Sequence, residues 1–152
     1  MKKLSFILCF LLFSCGFHEI KREDKIKNVV VIFKQLDENA FTIKKILEDK
    51  FETSSSPTYK LMLEKTESIS GSGIGADAFT ANFRIAIDVK YKLIEIQSGK
   101  VILTGKSSNY TNYISSRNNV ISDFTVQKDS GKNLAESLGN KIYEDIQEKF
   151  GF

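Results

Sequence analysis

Hydrophobic and polar residues alternate most regularly in the middle of the chain. Phe79, Ala81, Phe83, Ile85, Ile87, Val89, Tyr91 and Leu93 hold successive odd positions, with Thr80, Asn82, Arg84, Asp88, Lys90 and Lys92 between them. A strict period of two predicts one long strand with a buried face and a wet face. At ~3.3 Å per residue such a strand reaches about 50 Å, beyond the usual length, so a bend or bulge is expected. Gln97–Lys100 reads as a turn, and residues 101–113 as a more polar return strand, which makes a hairpin.

The flanking segments carry shorter signals. Val29–Phe33 is a β-branched run, expected as a strand buried on both faces. In the next segment Ile43, Ile46, Leu47 and Phe51 share one helical face behind a cap at Asp37 or Asn39. Tyr59, Leu61 and Leu63 alternate with polar neighbours and predict a second strand, followed by a loop over 67–77. A further loop over 114–123 should end in a cap at Ser122 or Asp123. Beyond it Leu134, Leu138, Ile142, Ile146 and Phe150 form an i, i+4 ridge with Ala135 and Tyr143 beside it. Gly131 and Gly139 each weaken that helix by ~1 kcal/mol relative to alanine, so tertiary packing must hold it. The order is β-α-β-β-β-α. The expected fold class is α+β, a two-layer sandwich with two helices on one face of a mainly four-stranded sheet.

The first residues follow a different rule. Met1-Lys2-Lys3 precedes the apolar run Leu4–Phe13, and Leu12-Phe13-Ser14 leads into Cys15-Gly16. This is a basic region and a short apolar region, too short for a membrane span, which needs ~20 residues. Leu, a small residue and Cys in this arrangement look like a bacterial lipobox. Cleavage would then fall before Cys15, with lipid on its thiol and amine. The other reading is an ordinary signal peptide cut elsewhere, with Cys15 free. Lipidation removes an unpaired exported thiol, and two or more acyl chains anchor stably. The organisation is therefore a leader over 1–14, lipidated Cys15 with a charged tether over 15–27, and one α/β domain over 28–152. Gly16 after the cysteine favours the outer membrane, on its periplasmic side.

Processing also changes the charge. The chain has 22 Lys and Arg against 19 Asp and Glu, and the leader takes Lys2 and Lys3 with it. The remaining near-neutrality gives no reason to expect nucleic acid. His18 is the single histidine, so neither a metal cluster nor a Ser/His/Asp triad is indicated. The Gly71–Asp77 stretch lacks the lysine and following helix of a phosphate loop. Glu23-Asp24, Glu48-Asp49 and Glu144-Asp145 sit among lysines, where nothing would desolvate a general acid. No enzyme and no cofactor is expected, apart from the covalent lipid on Cys15. Binding remains. The candidates are the polar face carrying Arg84, Lys90, Lys92 and Lys106, and a run of Tyr110 and Tyr113 among asparagines. Such cations engage phosphates, or merely solvate a face and blunt edge pairing; both readings stay open.

Three segments in order, "CGFH" at 15–18, "DVKYKLIEIQSGKVILTGKSSNYTNY" at 88–113 and "NLAESLGNKIYEDIQEKF" at 133–150, resemble the LPS-assembly lipoprotein family (LptE). The resemblance spans nearly the whole mature chain. It implies a two-layer α/β domain in the lumen of a large outer-membrane β-barrel that transports lipopolysaccharide. There it would plug the barrel, help it assemble and contact lipopolysaccharide. Arg84 and Lys106 match the family's basic contact residues by position on the hairpin. We extend the expectation to a barrel-facing surface at Tyr110, Tyr113, Arg117 and Asn118. The alternative is a periplasmic lipoprotein that binds a small lipid or serves an exporter.

Overall fold

A computed structural model describes residues 26–53, 55–74, 80–116 and 120–150. The leader, Cys15 and the tether up to residue 25 lie outside the described residues, as do Phe79, Arg117 and Asn118. The elements are β1 (Val29–Phe33), α1 (Glu38–Phe51), β2 (Tyr59–Ile74), β3 (Thr80–Glu95), β4 (Val101–Ser116) and α2 (Val120–Phe150). This is the α+β architecture and the order expected. The sheet runs β1-β2-β3-β4, with β1 parallel to β2 and the other pairs antiparallel.

Both helices cover one face. The odd-numbered side of β3 supplies Ile85, Ile87, Val89, Tyr91 and Leu93 to the core, all 1% exposed or less. Ala40, Ile43, Leu47 and Phe51 of α1 and Leu134, Ala135, Leu138, Ile142 and Ile146 of α2 close over them. The other face of the sheet is open. That corrects the reading of β1 as buried on both sides. Val29 and Val31 are buried, but Ile32, the next residue along, is 41% exposed, because no helix lies on its side.

β2 is longer than its pattern promised. It runs through the expected loop to Ile74, with Ser68, Ile69 and Ser70 opposite Ala86, Ile85 and Arg84. These residues are exposed on both faces, so burial imposes no alternation there. Backbone pairing to β3 holds the stretch against its weak propensity. β3 keeps its own phase throughout. The expected irregularity lies in its neighbours, as extra residues at Ser72 of β2 and Ile102 of β4.

α2 starts earlier than a cap at Ser122 or Asp123 would allow, because β4 continues to Ser116 and only residues 117–119 separate the two. Ser115 Oγ donates to Asp123 Oδ2 at 2.7 Å and ties the first turn of α2 to the strand end. Gly139 has a positive role that propensity hides. A Cβ there would stand 3.1 Å from Ile46 Cγ2, so its absence lets α1 and α2 approach closely.

α1 begins at Asp37, whose side chain accepts from Ala40 N–H at 2.9 Å. Asp37 also pairs with Lys65 Nζ at 2.9 Å, and Lys65 pairs with Glu67 at 2.5 Å. Burial works against both charges. For Asp37 the bonds from Ala40 and Lys65 outweigh it and hold the carboxyl below the usual range. For Lys65 the bonds to Glu67 and Asp37 likewise hold the ammonium above its usual value. A lowered carboxylate pKa gives stability that is present above the unfolded value and lost as pH falls through the folded one. The urea midpoint should therefore drop between about pH 5 and about pH 2. Asp37→Asn, which can still cap, should give a shallower drop over that window. An equally steep profile for Asp37→Asn would show that other carboxylates carry the acid limb.

Candidate functional site on the open face of the sheet

Register decides what the open face presents. From Asn82 to Ile94 the even-numbered residues of β3 point away from the helices, and each stands between a β2 and a β4 partner. Successive rows read Met62-Lys92-Thr104, Glu64-Lys90-Lys106, Thr66-Asp88-Ser108, Ser68-Ala86-Tyr110 and Ser70-Arg84-Asn112. Lys60, opposite Ile94, extends the lysine group by one more row. The face thus holds Lys60, Lys90, Lys92, Lys106 and Arg84 against the carboxylates Glu64 and Asp88.

The carboxylates are already engaged. Glu64 accepts from Lys34 Nζ at 2.9 Å, and that bond holds its carboxyl below the ordinary range. Asp88 accepts a short bond from Ser108 Oγ and a second from Lys106 Nζ at 3.1 Å. Those two partners, the hydroxyl foremost, likewise keep Asp88 ionised to lower pH. Neither carboxylate neutralises Lys60 or Lys92 by direct contact; Lys92 is exposed opposite Met62, and Lys60 is half-buried opposite Ile94.

Arg84 sits at the other end. Its guanidinium lies 4.5 Å from the Tyr110 ring centroid, and its Nε donates to Asn112 Oδ1 at 3.3 Å. Stacking and the bond fix the planar fork facing outward. Arg84 and Lys106 share the face but not a site. Lys106 stands opposite Lys90, six residues along β3 from Arg84, roughly 20 Å away. The lysine band is one locus, and Arg84 with Tyr110 and Asn112 is another.

The expected barrel-facing group is divided. Tyr110 is 58% exposed on the open face. Tyr113, three residues on, points to the other face and stacks on Phe83 at 5.4 Å between ring centroids. Burial there, aided by Asp123, pushes the Tyr113 hydroxyl pKa up. Arg117 and Asn118 lie outside the described residues. Lys60 escaped the sequence reading because only the β2–β3 register brings it beside Lys92. Among the described residues no three His, Cys, Asp or Glu side chains group as metal ligands. No helix among them is long and apolar enough to cross a membrane.

No family model matches this chain, and no curated protein matches it. Solved structures share its fold. A candidate lipoprotein from Caulobacter crescentus is 18% identical, with a TM-score of 0.61 over 81% of this chain and 90% of that one. A minor lipoprotein from Acinetobacter baumannii is 12% identical, with a TM-score of 0.59 over 82% and 92%. Rare lipoprotein B from Shewanella oneidensis is 10% identical, with a TM-score of 0.62 over 80% and 95%. At these identities what is shared is the fold.

Proposed function

Proceeding from a fold found in lipoproteins, we propose that this chain is a non-enzymatic lipoprotein anchored through Cys15 to the periplasmic side of the outer membrane. In this reading it plugs a large lipopolysaccharide-transport β-barrel, assists its assembly and contacts lipopolysaccharide. One observation carries the reading. The long segments that resemble the LPS-assembly lipoproteins, 88–113 and 133–150, fall on β3–β4 and on the part of α2 that packs across them. They are one folded unit, not scattered likenesses.

The open face supplies the chemistry. Five cations outnumber two engaged carboxylates, and Arg84 offers a fixed fork of the kind that pairs with phosphate. Wide barrels are commonly plugged, and a small domain with a polar sheet face suits a polar lumen. The double reversal Arg84→Glu/Lys92→Glu should weaken lipopolysaccharide binding by about tenfold or more, since both loci lose charge-assisted contacts. Both side chains are exposed, so the thermal midpoint should barely move. Unchanged binding would remove the open face from the lipid contact.

The barrel partnership is tested separately. A C-terminally tagged chain, solubilised from the envelope in mild detergent, should co-elute one-to-one with a large β-barrel protein. A monomer carrying a small lipid would overturn the plug reading in favour of the lipid-binding alternative.

A further inference from the structure

We propose that the free edge of β4 is a strand-addition site for an extended acidic segment of a partner protein. The inference stands on the edge itself and goes beyond the barrel reading. β4 is 16 residues long and, among the described residues, pairs with β3 alone. The hairpin turn fixes its phase. Glu95 N–H donates to Lys100 O, and Gly99 N–H donates to Glu95 O, so odd residues of β3 and β4 bond each other. Even residues of β4 therefore turn their N–H and C=O groups to the free edge. Two side chains already reach that edge: Lys141 Nζ donates to Ser108 O at 3.4 Å, and Tyr110 N–H donates to Asn109 Oδ1 at 2.9 Å. Both are weak local partners that an incoming strand can replace.

Opposite β4 the sheet ends in β1, only five residues long, and the stretch of β2 beyond it is defended. Past Leu63, β2 has no β1 beside it, but the Asp37–Lys65–Glu67 network and Asn39 lie there, and the register breaks at Gly71/Gly73. Buried charge and a bulge are the usual means of blunting an edge. β4 has its break at its first turn, one lysine and no carboxylate in its length. Ile102, Tyr110 and Ile114 along it are 36%, 58% and 65% exposed, which offers apolar contact at both ends.

Charge selects the occupant. Lys141 reaches over from α2 on the helix face to the middle of the edge, and Lys106 stands on the open face beside it, its ammonium paired with exposed Asp88 of β3. A second copy paired with Ile102 opposite Ile114 would bring two Lys141 side chains together near Ser108, which like charges oppose. A strand with two neighbouring carboxylates can set one against Lys141 and let the other share Lys106 with Asp88, because adjacent residues point to opposite faces. β-branched residues on either side of that pair would meet Ile102 and Ile114. Main-chain bonds would supply affinity and the acidic pair would supply selectivity.

The test uses the full chain in detergent and three 13-residue peptides of alternating valine and threonine. One carries Glu-Asp at its centre, one Lys-Lys and one Pro-Glu. The Glu-Asp peptide should slow hydrogen exchange of the Thr104, Lys106, Ser108 and Asn112 amides by about tenfold or more. The Lys-Lys peptide should bind at least about tenfold more weakly, and the proline peptide should protect nothing. Lys141→Glu should reverse the preference between the charged peptides. Failure of the Glu-Asp peptide to bind, binding without protection of these amides, or indifference to peptide charge would each overturn the proposal. So would concentration-dependent dimers that protect the same amides without peptide, which would give the edge to a second copy.

Discussion

Gly105→Ala is expected to cost about 3–5 kcal/mol, although alanine is the better strand residue, because the site has no room for a methyl group. Gly105 stands directly opposite Tyr91. A Cβ there would lie 2.2 Å from Tyr91 Cζ and Oη, and 2.7 Å from Cε2. Tyr91 is 1% exposed, and its hydroxyl donates to Asp145 of α2 in a short bond. The ring crosses over Gly105 to reach that carboxylate, which Lys149 also holds at 2.8 Å. A methyl group would drive the ring out, empty its core site and break the link from sheet to helix. Total stability of a domain is about 5–15 kcal/mol, so the variant should be partly unfolded at modest temperature. Urea unfolding of the four variants in a cycle with Tyr91→Leu measures the cause. In the Tyr91→Leu background Gly105→Ala should become nearly neutral. An undiminished cost there would mean that the ring is not what the methyl meets.

Phe51→Ala is expected to cost about 3–5 kcal/mol, as large aromatic truncations in closed cores do. Phe51 is wholly buried at the last turn of α1, and its ring tilts against Tyr143 of α2 at 5.1 Å between centroids. Its carbonyl accepts from Asn28 N–H at 3.0 Å, just before β1. Three segments therefore meet at one residue, through its ring and its carbonyl, and none can collapse into the space without moving the others. Phe51→Leu, which keeps most of the volume, should cost less than about 1.5 kcal/mol. Phe41→Ala makes the control on the same helix. Phe41 is 56% exposed, and its loss should stay within about 0.5 kcal/mol. If Phe51→Ala and Phe41→Ala shift the unfolding midpoint equally, the packing account of α1 fails.

The same residues show what a sequence fixes alone. The period-two run of β3 predicted its buried face residue by residue from Ile85 to Leu93, because one-sided burial forces alternation. The ridge Leu134, Leu138, Ile142 and Ile146 was legible for the matching reason on a helix. The element order and the two-layer class followed from those periods, since each apolar face needs a cover. At the candidate site, Arg84, Lys90 and Lys92 could be placed on the wet face from their even positions alone, whereas the face of Lys106 follows from the β3–β4 register.

Pairing and approach were not written locally. That β2 runs through Ser68 to Ile74 depends on the backbone of β3, which holds residues with little strand preference of their own. That β1 is open on one side depends on where the helices lie, and a β-branched run reads the same either way. Lys60 joins Lys92, and Tyr110 parts from Tyr113, through register and pleat, which act between strands and across faces. Glycine at 105 is explained only by the ring that stands opposite it. Sequence sets periods because burial repeats along an element, whereas tertiary structure sets neighbours, because residues far apart in the chain must share one surface or one volume.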